Sequence, residues 1–231
     1  MKPFQFRKFA IHQSKNVFKV GTDGVLLGVL CTVNHSKKIL EVGTGTGLIS
    51  LMIAQRNPEA EILSLDINEE AENLAAENFI NSPFKERMKT LHQDFKNFES
   101  DKKFDLIISN PPYFEENPSE KDILARQQTE LSFDHLITKA AEILSETGIL
   151  SVIIPFEAGN EFERKCLNQA LFLQKKIKIF GIKNAKAKRC ILEFGFEQKI
   201  LSESEFIIEK SPRKYTEEYL ELTREFHLFQ Q

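Results

Sequence analysis

From residue 38 onward, short apolar runs alternate with amphipathic stretches, and few folds accommodate that order. Residues 39–42, 62–66, 88–92, 104–109 and 149–154 read as strands. Residues 48–55 read as a helix following a glycine turn. A second helix spans 69–79, with Asn68 available as its cap and acids in its first turn. Within 131–144, Leu136, Ile137, Ala140, Ala141 and Leu144 recur at helical spacing, and Thr147-Gly148 ends that helix. Residues 162–172 are also helical in pattern. Strands separated by helices pair in parallel, so the expected architecture is α/β, a sheet covered on both faces. Residues 176–180 and 190–196 follow one another with a basic loop between them and no helix, which predicts an antiparallel hairpin at one end of the sheet. A linker containing Ser211-Pro212 precedes a terminal helix over 216–229.

The junction of the first strand and first helix reads Glu41-Val42-Gly43-Thr44-Gly45-Thr46-Gly47. Glycines let the backbone turn sharply and admit a ligand closely. The spacing differs from the dinucleotide fingerprint, because Leu48 stands at its third glycine, and no Lys-Ser/Thr follows as in a P-loop. Glu41 argues against a diphosphate, since a carboxylate there repels phosphate but can accept a bond, direct or through water, from an ammonium. Asp66 ends the second strand, 19 residues after Gly47. An acid at that position can hold ribose hydroxyls, because ligands of open α/β sheets sit beyond the carboxyl ends of the strands. Asp94 follows the third strand, where it or nearby backbone can face an adenine amine. Each of these acids reads equally well as a surface residue or a cap. Together, at successive strand ends, they outline a crevice for a cationic amino acid joined to adenosine.

The fourth strand ends in Asn110-Pro111-Pro112-Tyr113. Neither proline has an N–H to donate, and both fix φ, so the corner is stiff. It carries a carboxamide, free carbonyls and an aromatic ring, groups suited to holding a planar, amide-like nitrogen without a strong acid or base.

The chain is 41% hydrophobic and 28% charged, the composition of a soluble globular protein. No run approaches the ~20 apolar residues that span a bilayer, and the first eight residues lack a secretion-type apolar core. Cys31, Cys166 and Cys190 are scattered and without zinc-ligand spacing, so no metal is expected, and a reducing cytoplasm is. The net charge of −3 conceals two basic segments. Residues 1–40 hold seven basic side chains against Asp23 alone, and residues 175–189 hold seven and no acid. Such segments fit a polyanion, or else are solvated loops.

These motifs resemble class I S-adenosylmethionine-dependent methyltransferases that act on planar nitrogens. Residues 19–28, with Phe9, Ile11 and Gln13 upstream and Ala125-Arg126-Gln127 downstream, look more specifically like the bacterial tRNA (adenine-N6) methyltransferases. The resemblance covers about residues 17–198. It implies a Rossmann-like, mostly parallel seven-stranded sheet with a terminal antiparallel hairpin strand. It implies S-adenosyl-L-methionine as cofactor, covered at its methionine end by Lys19, Thr22 and Asp23, although Asp23 also reads as a helix cap. Glu41, Gly43, Gly45 and Gly47 would hold the cofactor at the turn. Asp66, Ile67, Asp94, Phe95 and Asn110 would hold it along the strand ends. The implied substrate is tRNA, at the adenosine 3′ of the anticodon in valine tRNA.

In the implied chemistry, the Asn110 side-chain carbonyl and the Pro111 backbone carbonyl accept the two N–H bonds of the target amine. Pro112 stiffens the corner, and Tyr113 stacks on a splayed base. Lys183, Lys186, Lys188, Arg189 and Arg126 would contact the RNA. The expected organisation is a basic extension and cofactor cover over 1–36, a catalytic domain over 37–200, and a C-terminal extension with a helix over 201–231. A monomer is favoured, with no membrane association. Adenine methylation in ribosomal RNA or DNA is a rival reading. Glutamine methylation in release factors is another, though only about forty residues precede the first strand where those enzymes carry a helical domain. A non-catalytic RNA-binding protein and a dinucleotide oxidoreductase complete the alternatives.

Overall fold

The computed structural model describes residues 2–17, 19–111 and 131–227. Pro112, Tyr113 and Arg126 lie outside the described residues. The elements in chain order are β1 (Phe4–Gln5), β2 (Ala10–Ile11), α1 (Thr22–Leu30), β3 (Lys38–Val42), α2 (Leu48–Arg56), β4 (Glu61–Asp66) and α3 (Glu69–Ile80). They continue with β5 (Met88–His92), β6 (Phe104–Ser109), α4 (Phe133–Ile143), β7 (Leu144–Pro155) and α5 (Gly159–Leu167). The chain then forms β8 (Phe172–Ile182), β9 (Ala187–Gly195), β10 (Ser202–Ser211), β11 (Lys214–Tyr215) and α6 (Glu217–Thr223).

Among the described residues the main sheet has nine strands in the order β11-β10-β8-β9-β7-β6-β3-β4-β5. The sheet is therefore two strands wider than the seven expected. The β8–β9 hairpin is antiparallel as expected, but it is not terminal: β10 pairs in parallel with β8, and β11 turns back on β10. A long β8 leaves an open row of backbone donors and acceptors, and β10 satisfies it. Of the expected linker Ser211-Pro212, Ser211 ends β10 and Pro212 opens the turn into β11; neither strand was expected from the sequence. The terminal helix stops at Thr223, and Thr216 caps it by accepting from the Tyr219 amide. Gly148 does not end a helix. It lies within β7, where a Cβ would come within 2.8 Å of Leu144 and the Phe104 carbonyl. Helix α5 occupies Gly159–Leu167 rather than 162–172.

Side chains alternate across the strands, so each face of the sheet buries its own cluster. Ile39, Ile62, Leu106 and Ile153 pack under α1, α2 and α3. Leu40, Val42, Ile107 and Val152 pack under α4 and α5. Helices α1 and α2 run side by side in the same direction. A Cβ at Gly24 would sit 3.1 Å from Leu48 Cδ2, and one at Gly28 would sit 2.8 Å from Met52 Sδ. Two glycines one turn apart thus let the helices approach closely, and Arg56 ties their far ends by donating to the Gly28 and Cys31 carbonyls. Both N-termini consequently point to the carboxyl end of the sheet.

Candidate active site

Register fixes the centre of the site. Val42 pairs with Leu65 on one side and Ser109 on the other. The next residues are Gly43, Asp66 and Asn110, so three of the expected site residues stand in one row, about 5 Å apart, beyond aligned strand ends. The Ser109 hydroxyl donates to the Val42 carbonyl at 2.8 Å and locks this row. Asp94 follows β5, which pairs Asp66 with His92.

The glycine turn is built for two separate reasons. Gly43, Gly45 and Gly47 have φ of 77°, 56° and 78°, a region that disfavours side chains. A Cβ at Gly43 or Gly45 would meet nothing within 4 Å, so these two face open space. A Cβ at Gly47 would come 2.5 Å from the Phe79 ring, so that glycine answers to packing.

Glu41 shares the face of Ile39, which delivers its carboxylate beneath α2. It is 1% exposed. One oxygen, Oε2, accepts from Thr44 Oγ1 at 2.8 Å and from the Ser50 hydroxyl, which lies 2.8 Å from Ser64 Oγ. The other oxygen, Oε1, is buried without a partner among the described residues. Burial pushes the carboxyl up to about 7, against the opposing pull of the two hydroxyls and with a smaller push from Asp66. A buried acceptor beside an open glycine turn fits a ligand that brings a cation, as S-adenosyl-L-methionine does.

Asp66 Oδ2 accepts from the Gly45 amide at 2.8 Å and Oδ1 from the Asn68 amide at 2.9 Å. The carboxylate thereby holds the glycine turn, with lone-pair capacity left for hydroxyls. Ile67 beside it is 49% exposed, an apolar surface suited to a purine face. Asp94 caps the short turn Phe95–Asn97 through the Lys96 amide at 3.0 Å, and Lys96 Nζ lies 3.4 Å from its other oxygen. The cap alternative for Asp94 therefore describes what its side chain does. Phe95 is buried, with its ring stacked on Phe98 in the core. Asn110 is half-buried and Pro111 buried.

The N-terminal segment reaches the crevice along α3. Asn78, fully buried, accepts from the His12 amide at 2.8 Å and donates to the His12 and Thr46 carbonyls at 3.1 and 2.9 Å. Ser14 and Asn16 donate to Glu70 in the first turn of that helix. Lys19 and Thr22 then lie exposed at the approach to α1. Gly21 is the N-cap of α1 and Asp23 lies in its first turn, so Asp23 is no cap. Instead Asp23 Oδ2 accepts from Arg189 Nε at 2.9 Å. Asn78 was missed in the sequence, although an amide in line with the core-facing Ala71 and Ala75 is a legible anomaly.

The basic segment divides. Lys175 pairs with Glu193 at 3.6 Å, Lys178 with Glu203 at 2.8 Å, and Arg189 with Asp23. Lys183, Lys186 and Lys188 are exposed around the β8–β9 turn. Among the described residues, no three or more metal-ligating side chains cluster, and no helix is long and apolar enough to cross a membrane.

A family model of the methyltransferase small domain matches residues 8–178. A protein of Flavobacteriaceae bacterium (strain 3519-10) named tRNA1(Val) (adenine(37)-N6)-methyltransferase is 57% identical over 231 residues, covering 100% of both chains. Relatives with the same name from Flavobacterium psychrophilum and Bacteroides thetaiotaomicron are 40% and 37% identical, covering 97% of this chain and 99% and 97% of theirs. Among solved structures, an Agrobacterium tumefaciens protein described as a predicted O-methyltransferase superposes with a TM-score of 0.71 at 20% identity, covering 88% of this chain and 96% of that one. A ribosomal protein L11 methylase from Lactobacillus delbrueckii gives 0.59 at 18% identity over 79% of this chain and 82% of that one. Those two likenesses concern the fold alone. This chain belongs to the methyltransferase small domain family, together with relatives named tRNA1(Val) (adenine(37)-N6)-methyltransferase.

Proposed function

We infer that the protein methylates the exocyclic N6 amine of an adenosine in tRNA, at adenine 37 of tRNA1(Val) as the names of its relatives state. The observation that carries this reading is the 57% identity along the whole of both chains. The site supports the same chemistry. Bound S-adenosyl-L-methionine supplies a methyl group on a cationic sulfonium, whose thioether departs as a good neutral leaving group, so the protein has chiefly to position and orient.

Glu41 Oε1 is the acceptor for the ammonium end. The open side of Gly43 and Gly45 receives the chain that follows, and Asp66 accepts from ribose hydroxyls. Ile67 lies against the adenine. The half-buried Asn110 stands one strand spacing from Gly43. Its side-chain carbonyl and the Pro111 backbone carbonyl accept the two N–H bonds of the target amine. That pairing favours the pyramidal, partly positive nitrogen that develops during attack, a preorganised electrostatic effect. No strong base is required, because the proton can leave after transfer. The protein works in the cytoplasm in this reading, where tRNA is found.

The test is to incubate the protein with labelled cofactor and total RNA from a strain lacking it, then map the modified nucleoside. Label at N6-methyladenosine of valine tRNA is expected. Label in ribosomal RNA, or in protein alone, would sink the reading.

A further inference from the structure

We propose that the β10–β11 turn, through Arg213 and Lys214, joins the β8–β9 turn in a two-turn basic rim that binds tRNA phosphates remote from the target adenosine. The proposal rests on the tRNA reading above and deepens it.

Topology places both turns on the edge that carries the active site. Strand β9 is antiparallel to β7 and begins where β7 ends, with Arg189 opposite Pro155. The β8–β9 turn therefore lies at the carboxyl end of the parallel strands. Strand β10 runs parallel to β8, with Glu209 opposite Ile182, so the β10–β11 turn lies at the same end. The Lys183 amide donates to the Glu209 carbonyl at 3.0 Å, joining the two turns directly.

The charges on this rim are available. Lys183, Lys186, Lys188, Arg213 and Lys214 are exposed, and none has an ion pair among the described residues. Lys210 differs, lying 3.6 Å from Glu217. Glu209 is an acid on this rim, and one of its oxygens is taken by the Arg213 amide at 3.2 Å. Arg213 has a φ of 62° in the tight turn between β10 and β11. In a chain of net charge −3, five cations on one edge without an ion pair among the described residues form a local field of the opposite sign.

Distance selects the partner. From β6, which Asn110 follows, the sheet order gives three strand spacings to β8 and four to β10. At about 4.8 Å per spacing these are about 14 and 19 Å. A mononucleotide in the crevice cannot reach the rim. A duplex carries one phosphate per strand for every few ångströms of rise, about 3.4 Å in DNA and less in A-form RNA, so the rim meets charge several nucleotides from the target. That is the reach of a stem flanking the methylated loop, and phosphate contacts of this kind set register without reading sequence.

The experiment uses the full chain carrying Arg213→Asn and Lys214→Gln, since asparagine tolerates positive φ. With intact tRNA, KM is expected to rise about five- to twenty-fold. The kcat and the cofactor dissociation constant should stay within two-fold. The slope of log affinity against log salt should fall by about 1 to 2. On a loop-only heptanucleotide carrying the target adenosine, variant and wild type should behave alike. An unchanged KM and salt slope on tRNA overturns the rim, even where anionic phosphatidylserine vesicles bind the wild type better than the variant. An equal loss on tRNA and heptanucleotide also overturns it, because the residues would then act on the crevice. Absence of tRNA methylation by the wild type overturns the functional reading itself, and the rim with it.

Discussion

Asp23 Oδ2 and Arg189 Nε, 166 residues apart, meet at 2.9 Å and join the first turn of α1 to the start of β9. This pair puts the start of α1 and the basic hairpin under one constraint. Both side chains are about one-third exposed, so the pair contributes roughly 0.5–1 kcal/mol. It also occupies a guanidinium that the sequence offers to RNA.

Arg189→Gln is expected to raise the cofactor dissociation constant about two- to five-fold, the equivalent of that energy. The salt slope of tRNA binding should stay unchanged, and Asp23→Asn should give the same phenotype. The double variant should be no worse than either single one. A changed salt slope with unchanged cofactor affinity would instead assign Arg189 to a phosphate.

Asn110→Ala tests the amine-holding corner. Turnover is expected to fall by about 100-fold or more while calorimetry shows unaltered cofactor binding. Near-normal turnover removes Asn110 from its role.

How much of this was legible follows from which forces were local. The strands 39–42, 62–66 and 104–109 and the glycine turn were readable, because period and punctuation act within a few residues. Strand β10 was not. Its first half carries exposed Glu203 and Glu205, and it becomes a strand through partners on β8, including Lys178. The basic run 175–189 read as uniform, yet Glu193, Glu203 and Asp23 neutralise three of its members from elsewhere in the fold. Asp66, Gly43 and Asn110 read as strand-end residues from the sequence, but only the Val42–Leu65 and Val42–Ser109 registers set them side by side.

The buried Glu41 carboxyl makes stability depend on pH. Burial raises it from the ordinary 4.5 to about 7 in the folded protein. The protonated form is therefore favoured by folding. This contribution is fully present below pH 4.5 and is lost as the pH rises through about 7, on the order of 3 kcal/mol in all. Urea midpoints of the ligand-free protein should fall across that window, and Glu41→Gln should flatten the fall. A bound ammonium reverses the preference, so cofactor binding at pH 6–7 should release a fraction of a proton. Calorimetry in buffers of different ionisation enthalpy would detect it, and proton-neutral binding would remove Glu41 from ammonium contact.

Gly43 and Gly47 should separate binding from folding. Both have positive φ, so alanine at either costs about 1–2 kcal/mol of backbone strain. At Gly47 the new methyl also collides with the Phe79 ring, adding about 1–3 kcal/mol of overpacking. Gly47→Ala should therefore lower the thermal midpoint clearly further than Gly43→Ala. Phe79→Leu should recover part of the Gly47→Ala deficit, because it withdraws the atoms the methyl strikes. At Gly43 the methyl enters open space, where the ligand would lie. Gly43→Ala should thus weaken cofactor binding at least ten-fold while the protein stays folded at 25 °C. Equal midpoints for the two variants would refute the packing role of Gly47, and cofactor affinity unchanged by Gly43→Ala would move the ligand away from the turn.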